Sequence, residues 1–324
     1  GMVGSAIIRS LNKKGYKNIV TATRSDLDLT SEQQVKEWFK NNTPEIVILA
    51  AAKVGGILAN NEYPKDFLLE NLKIQNNVIE NSWLSNVHRF LFLGSSCIYP
   101  KFANQPIKED YLLSSSLEPT NQWYALAKIT GLKLCEALKK QDGFDSISLM
   151  PTNLYGPGDN YNLETSHVIP ALIRKFYNAK IKGEKEVICW GTGRPKREFL
   201  HVDDLGDASV FALENWDPDL SNSPESENNE KLTYLNVGTG KDITIKCLAE
   251  TIAEILNLWS RCKVSSLISS FKFKSKFEKG SSSNNNSGFA IMDLANAIRC
   301  CSPPLSSCGY LFFVLDNETG ETVY

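Results

Sequence analysis

The sequence predicts an α/β protein built on a doubly wound parallel sheet, and three observations predict it. Strand-like and helix-like runs alternate through the first half of the 324 residues. The strand-like runs are continuously apolar, as in E-I-V-I-L-A-A-A at 45–52 and R-F-L-F-L-G-S-S at 89–96, which suits strands covered on both faces. The segments between them are long enough to cross from one parallel strand to the next.

Each element has its own local reason. Ile7, Ile8 and Leu11 fall at helical spacing within 4–15, and Gly15 ends that helix. N-I-V-T-A-T at 18–23 is a short β-branched run. Thr30 and Ser31 offer N-caps to a helix whose apolar stripe is Val35, Trp38 and Phe39. A long helix is expected from about Pro64 to Asn86 and another from Tyr124 to Gln141. S-I-S-L-M-P-T-N-L-Y-G-P at 146–157 reads as a strand running into a loop. After Gly156 the alternation loosens: 221–230, rich in Ser, Asn and Glu, reads as an exposed loop, and 232–238 as one further strand. Residues 263–290 are polar and low in complexity, a poor composition for a core.

Thirty-five Lys and Arg against 37 Asp and Glu leave a net charge of −2, which argues against a nucleic-acid surface. No run of eighteen apolar residues exists, so no membrane-spanning helix is expected. The opening G-M-V-G-S-A carries no basic and apolar export signal. Eight cysteines are scattered with no C-x-x-C pair, so a reduced, cytoplasmic protein without a structural metal is expected.

The chemistry begins at W-Y-A-L-A-K, 123–128. Tyr124 and Lys128 stand four apart, on one face of a helix. The ammonium is expected to lower the phenol pKa so that the tyrosine exchanges a proton near neutrality. The helix follows a strand ending in G-S-S, the edge where parallel sheets bind ligands. Gly1-Met2-Val3-Gly4-Ser5 opens a helix whose start can face a pyrophosphate. Arg24 ends the second strand-like run, where an acidic residue would suit NAD and an arginine suits the 2′-phosphate of NADP. Ser95 can hydrogen-bond a substrate carbonyl, Cys97 stands where a thiolate could act as base, and His167 is one of three histidines and a candidate acid. The plain alternatives are a solvated lysine beside a packed tyrosine, a surface arginine, a core cysteine and a structural histidine.

Longer motifs join these residues: A-A-A-K-V-G-G-I at 50–57, F-L-G-S-S-C-I-Y-P-K at 92–101, L-E-P-T-N at 117–121, P-T-N-L-Y-G-P at 151–157, S-H-V-I-P-A-L at 166–172 and R-E-F-L-H-V-D-D at 197–204. Together they resemble the extended short-chain dehydrogenase/reductase superfamily, whose nucleotide-binding domain is a Rossmann fold. Within it, residues 1 to about 257 look like the GDP-L-fucose synthase family of GDP-4-keto-6-deoxymannose epimerase/reductases. Nucleotide-sugar dehydratases of the superfamily carry an Asp-Glu pair where this chain has Ser96-Cys97.

That resemblance implies NADP(H) as cofactor and a GDP-sugar as substrate. It implies Tyr124 and Lys128 as the reductase pair, Ser95 orienting the 4-keto oxygen, Cys97 taking protons from C3 and C5, and His167 returning them. The cofactor would meet Gly1, Met2, Val3, Gly4, Arg24, Leu93, Gly94, Ser95, Ser96, Lys128, Pro151, Thr152, Asn153, Leu154 and His167. The GDP-sugar would meet Lys175, Trp190 and Arg197. The role of Lys53 stays open. A homodimer is also implied, joined through the two long helices, where Leu68, Leu69, Leu72, Ile74 and Val78 exceed what one sheet face needs.

Two departures from the family shape the expected fold. The strand and further glycine that precede G-M-V-G in the family do not stand before Gly1, so the sheet is expected to lack its first strand. Residues 263–324 do not match the family's closing segment and are expected to be a divergent, poorly ordered tail. The expected organisation is an NADP-binding domain over 1–156, with returns near 198–239, and a smaller substrate domain over 157–197 and 240–262. The alternative function is a truncated, catalytically impaired product of such a gene, or another nucleotide-sugar epimerase/reductase of the superfamily.

Overall fold

The computed structural model describes residues 1–256 except 164 and 185, together with 265–267, 270–274 and 312–315. The helices are α1 (Met2–Lys13), α2 (Glu32–Asn42), α3 (Ile57–Glu62), α4 (Pro64–Leu84), α5 (Gln122–Asp142), α6 (Val168–Lys182), α7 (Val202–Asn215) and α8 (Ile245–Ile255). The strands are β1 (Ile19–Ala22), β2 (Ile46–Leu49), β3 (Arg89–Leu93), β4 (Ser146–Pro151), β5 (Asn153–Tyr155), β6 (Glu186–Trp190), β7 (Lys196–His201), β8 (Tyr234–Val237), β9 (Asp242–Thr244), β10 (Ser265–Leu267), β11 (Ser270–Lys274) and β12 (Phe312–Leu315). The chain divides into two compact units.

The first unit comprises Gly1–Leu154, Leu200–Val237 and Ser302–Val323. Its sheet is parallel throughout and ordered β1-β12-β2-β3-β4-β8. Side chains alternate cleanly between its two faces. Val47, Leu49, Phe90 and Phe92 enter one apolar cluster with Val35, Phe39, Ile74, Val78 and Leu132. Ile46, Ile48, Leu91 and Leu93 enter another with Ile7, Leu11, Val210 and Leu213. Both faces are therefore covered, which explains the unbroken apolar runs. On the second face α1 lies so close to α7 that a Cβ on Gly206 would stand 2.8 Å from the Ala6 carbonyl oxygen. Ser31, not Thr30, caps α2, accepting from Gln34 N at 3.4 Å. The Thr30 hydroxyl donates instead to Asp28 at 2.8 Å.

In the sheet the position between β1 and β2 is taken by β12. Phe312–Leu315 runs between β1 and β2, with Phe312 opposite both Ile19 and Ile46 and Leu315 opposite both Ala22 and Leu49. Physically, two neighbouring strands with unpaired inner edges present a full row of donors and acceptors. The β-prone sequence F-F-V-L is suited to such a doubly covered site. Residues 312–315 of this tail form strand β12. For the rest of 263–324, apart from β10 and β11, the expectation of a poorly ordered tail falls outside the described residues.

The second unit comprises Tyr155–Phe199 and Gly238–Cys301 with Tyr324. Its core gathers Ile169, Ile173 and Phe176 of α6, Val187 and Cys189 of β6, and Leu248 and Ile252 of α8. β6 pairs antiparallel with β11, and β11 with β10, so part of the low-complexity stretch forms sheet. β7 pairs antiparallel with β9.

Candidate active site

The carboxyl end of β3 and the first turns of α5 hold four of the expected catalytic residues. β3 ends at Leu93, and Gly94 follows where no side chain fits: a Cβ there would stand 2.2 Å from Met150 Sδ. The next residues tighten into a 3-10 turn, Ser96–Ile98. Ser95 begins it, accepting from Cys97 N at 3.4 Å.

Lys128 is the fixed point of the site. It is 4 % exposed, and its ammonium donates to the Leu93 carbonyl oxygen at 2.8 Å. The same Nζ lies 4.9 Å from the Phe92 ring centre and 5.8 Å from that of Tyr124, within cation–π range. Leu93, expected to touch cofactor, thus also anchors the lysine through its backbone. Tyr124 packs edge-on against Phe67 of α4, with centroids 6.4 Å apart.

The charge states differ from the sequence expectation. Burial pushes the Tyr124 phenol well above its ordinary pKa, and the nearby Cys97 raises it further. Burial lowers Lys128 to about 8, with Cys97 acting in the opposite sense. The phenol is not lowered as expected, because burial disfavours its charged form. Burial also raises Cys97 to about 11, although the Ser95 hydrogen bond and the Lys128 charge pull it down. At neutral pH this set is a phenol, a thiol and a mostly protonated amine.

The expected cofactor residues of this unit lie along the same edge of the sheet. Gly1 is the N-cap of α1 and no side chain caps that end. Arg24 follows β1 and is exposed, within Coulombic reach of Asp28. Pro151 closes β4, and Thr152 N donates to the Val237 carbonyl oxygen at 3.0 Å. The Thr152 hydroxyl is buried with no hydrogen-bond partner among the described residues. Asn153 and Leu154 belong to β5. A helix start without a side-chain cap, an exposed guanidinium and an orphaned buried hydroxyl make a donor set suited to a dinucleotide.

Lys53 receives a structural role. Its ammonium donates to Glu70 at 2.6 Å, its backbone N–H to Asn71 Oδ1 at 2.8 Å, and Asn71 Nδ2 returns a bond to its carbonyl at 3.0 Å. The loop after β2 is thereby sewn to α4. Nothing in the local sequence pattern marks Asn71 or Phe67, since both act through residues distant in the chain.

The second unit carries the other expected residues. His167 is the N-cap of α6, and desolvation lowers the pKa of its imidazole. Lys175 Nζ stands 4.5 Å from the ring centre of Trp190, which is 70 % exposed. Arg197 is exposed on β7, with Nη1 donating to the Lys196 carbonyl oxygen at 2.7 Å. Asp159, unremarked in the sequence, is raised by burial to about 7, and its Oδ2 has no partner among the described residues.

Among the described residues no helix is long and apolar enough to cross a membrane, and no cluster of His, Cys, Asp and Glu could hold a metal. Comparison with known proteins agrees with the fold. A GDP-L-fucose synthase of Arabidopsis thaliana is 54% identical over 256 residues, 79% of this chain and 75% of the relative. GDP-L-fucose synthase of Escherichia coli strain K12 is 49% identical over 262 residues, 81% of this chain and 80% of the relative. A GDP-D-glycero-L-gluco-heptose synthase of Campylobacter jejuni, solved in the presence of NADPH, superposes with a TM-score of 0.74 at 38% identity, covering 79% of this chain and 83% of that one. The profile of the NAD dependent epimerase/dehydratase family matches residues 1–224, and the chain belongs to that family.

Proposed function

We propose that the chain converts GDP-4-keto-6-deoxymannose to GDP-L-fucose with NADPH, epimerising C3 and C5 and reducing C4. The observation that carries this reading is the grouping of Ser95, Cys97, Tyr124 and Lys128 at one sheet edge. The chain in which it occurs is about half identical to enzymes named for that reaction.

The donor set fits NADP(H). The start of α1 at Gly1–Gly4 would face the pyrophosphate, Arg24 the 2′-phosphate, and Gly94–Ser96, Lys128 and Pro151–Leu154 the nicotinamide half. Bound NADPH supplies the hydride that reduces C4.

The protein's residues handle the protons. C3 and C5 both flank the C4 ketone, so one bound pose exposes two acidic C–H bonds. Cys97, as thiolate, takes a proton from carbon while Ser95 and Tyr124 hydrogen-bond the developing oxyanion at C4. The family resemblance gives His167, when protonated, the return of the proton. In the reduction Tyr124 donates its proton to the C4 oxygen, and burial suits it to this by keeping the phenol protonated. Lys175, Trp190 and Arg197 would receive the GDP portion through two cations and an exposed indole. The second unit is thus assigned to the substrate and the first to the cofactor. Because Cys97 is a thiol at rest, isotope exchange should quicken as pH rises towards about 11.

We further assign a homodimer in the cytoplasm, joined through α4 and α5. Leu69, Trp123 and Leu126 support this by lying exposed, whereas Ile74 and Val78 are core residues and contribute nothing to it. The deciding assay follows NADPH oxidation and solvent deuterium entry at C3 and C5 with GDP-4-keto-6-deoxymannose. Both should be seen; oxidation without exchange would reduce the function to a 4-reductase, and neither would refute the reading.

A further inference from the structure

The turn bearing Ser95 and Cys97 is weakly held from within. Its internal bonds are long: Cys97 N to Ser95 Oγ at 3.4 Å, Ile98 N to Ser95 O at 3.3 Å and Tyr99 N to Ser96 O at 3.4 Å. These lie beyond the usual 2.7–3.2 Å range of N–H···O bonds. The far end of the turn is fastened much better. Tyr99 is 4 % exposed, its ring lies in the main apolar cluster, and its hydroxyl donates to Asn236 Oδ1 at 2.6 Å.

Asn236 lies on β8, the last strand of the sheet. Its Nδ2 donates to the Ile107 carbonyl oxygen at 3.1 Å, and its backbone N–H donates to Glu109 Oε1 at 2.7 Å. Tyr234 of the same strand donates through its hydroxyl to the Glu109 carbonyl oxygen at 2.8 Å. The 107–109 segment thus covers the open edge of β8, and Asn236 joins that segment, the strand and the Cys97 turn in one network.

We propose that Tyr99 and Asn236 are positioning residues that hold the Cys97 turn for proton abstraction. The inference rests on the proposed reaction. Its selectivity follows from how the neighbouring groups are held. Lys128 is fixed by the Leu93 carbonyl and Tyr124 by Phe67, and neither contact passes through Tyr99. Loss of the tether should therefore displace the thiol and leave the reductase pair in place. Proton transfer from carbon is sensitive to displacements of about 1 Å.

Tyr99→Phe tests this by removing one hydroxyl while keeping the buried ring; Asn236→Ala removes the acceptor from the other side. In both variants deuterium entry at C3 and C5 should fall about tenfold or more. NADPH oxidation with a keto-sugar already epimerised at C3 and C5 should stay within about twofold, as expected where the contacts that orient Tyr124 and Lys128 are unchanged. Amide hydrogen exchange, which needs no substrate, should quicken across 97–99 and stay unchanged across 94–96 and 122–142. Equal losses in both reactions, or unchanged amide exchange in the turn, would overturn the proposal. No deuterium entry in the unaltered enzyme would overturn the reaction itself, while amide exchange would still report whether the tether holds the turn.

Discussion

β3 is buried from Phe90 to Leu93 and lies between β2 and β4, both buried along their whole length. β1, at the edge of the same sheet, has no fully buried residue. Its inner neighbour is β12, a strand from some 290 positions further along the chain. The difference teaches where stability and chemistry reside. The β3 side is stiff enough to bury an ammonium beside a half-buried thiol and a half-buried phenol. The β1 side depends on a connection that loops across most of the chain, and it carries Arg24.

If the β3 side is that stiff, a single atom can be changed there without loss of fold. Cys97→Ser should leave the melting midpoint nearly unchanged while deuterium entry at C3 and C5 drops about 10²–10⁴-fold, the usual contribution of a positioned base. Retained exchange would return Cys97 to a packing role. The β1 side should respond in the opposite manner. Val314→Pro removes a ladder donor from a strand paired on both sides and should cost about 2–4 kcal/mol of stability, read as a large fall in the midpoint by circular dichroism. An unchanged midpoint would show that β12 contributes little to holding β1.

A smaller effect separates binding from folding on the β1 side. Arg24→Ala should weaken NADPH by about 1.5–3 kcal/mol, tenfold to a hundredfold, and NADH hardly at all. Its exposed position implies no change in melting. Titration of both cofactors by fluorescence would settle the point, and equal weakening would remove Arg24 as the discriminator. The smallest change sharpens the cost of the stiff side. Lys128 is held near pKa 8 by burial, so the unfolded chain binds more protons between about 8 and 10.5 and stability rises with pH over that window. Below it the cost of the buried charge is fully present. Lys128→Met should therefore be more stable than the unaltered protein at pH 7 by about 1–2 kcal/mol, after loss of the bond to Leu93, and the gain should shrink as pH climbs past 8. A destabilised variant at pH 7 would mean the hydrogen bond outweighs desolvation.

The site itself was partly legible in advance. Tyr124 and Lys128 could be paired from spacing because helix geometry brings positions four apart together. Ser95 and Cys97 could be placed because parallel strands end at a common edge. The direction of the phenol shift could not be read, since it depends on how much protein surrounds the ring. Phe67, Asn71, Asn236 and Glu109 left no local signal, because each acts on a residue brought near only by folding.

By itself the sequence determined the alternation of strands and helices, the double covering of β2, β3 and β4, and the chemical types present at the sheet edge. These follow from local periodicity and from the short reach of the peptide backbone. The tertiary structure alone decided which strand lies between β1 and β2. The inner edges of β1 and β2 accept any suitable extended segment, and F-F-V-L carries no address in its composition. It alone also decided that Tyr99 is tied to Asn236 and that burial raises the Tyr124 phenol. Both results depend on distances between residues far apart in the chain, which no local pattern encodes.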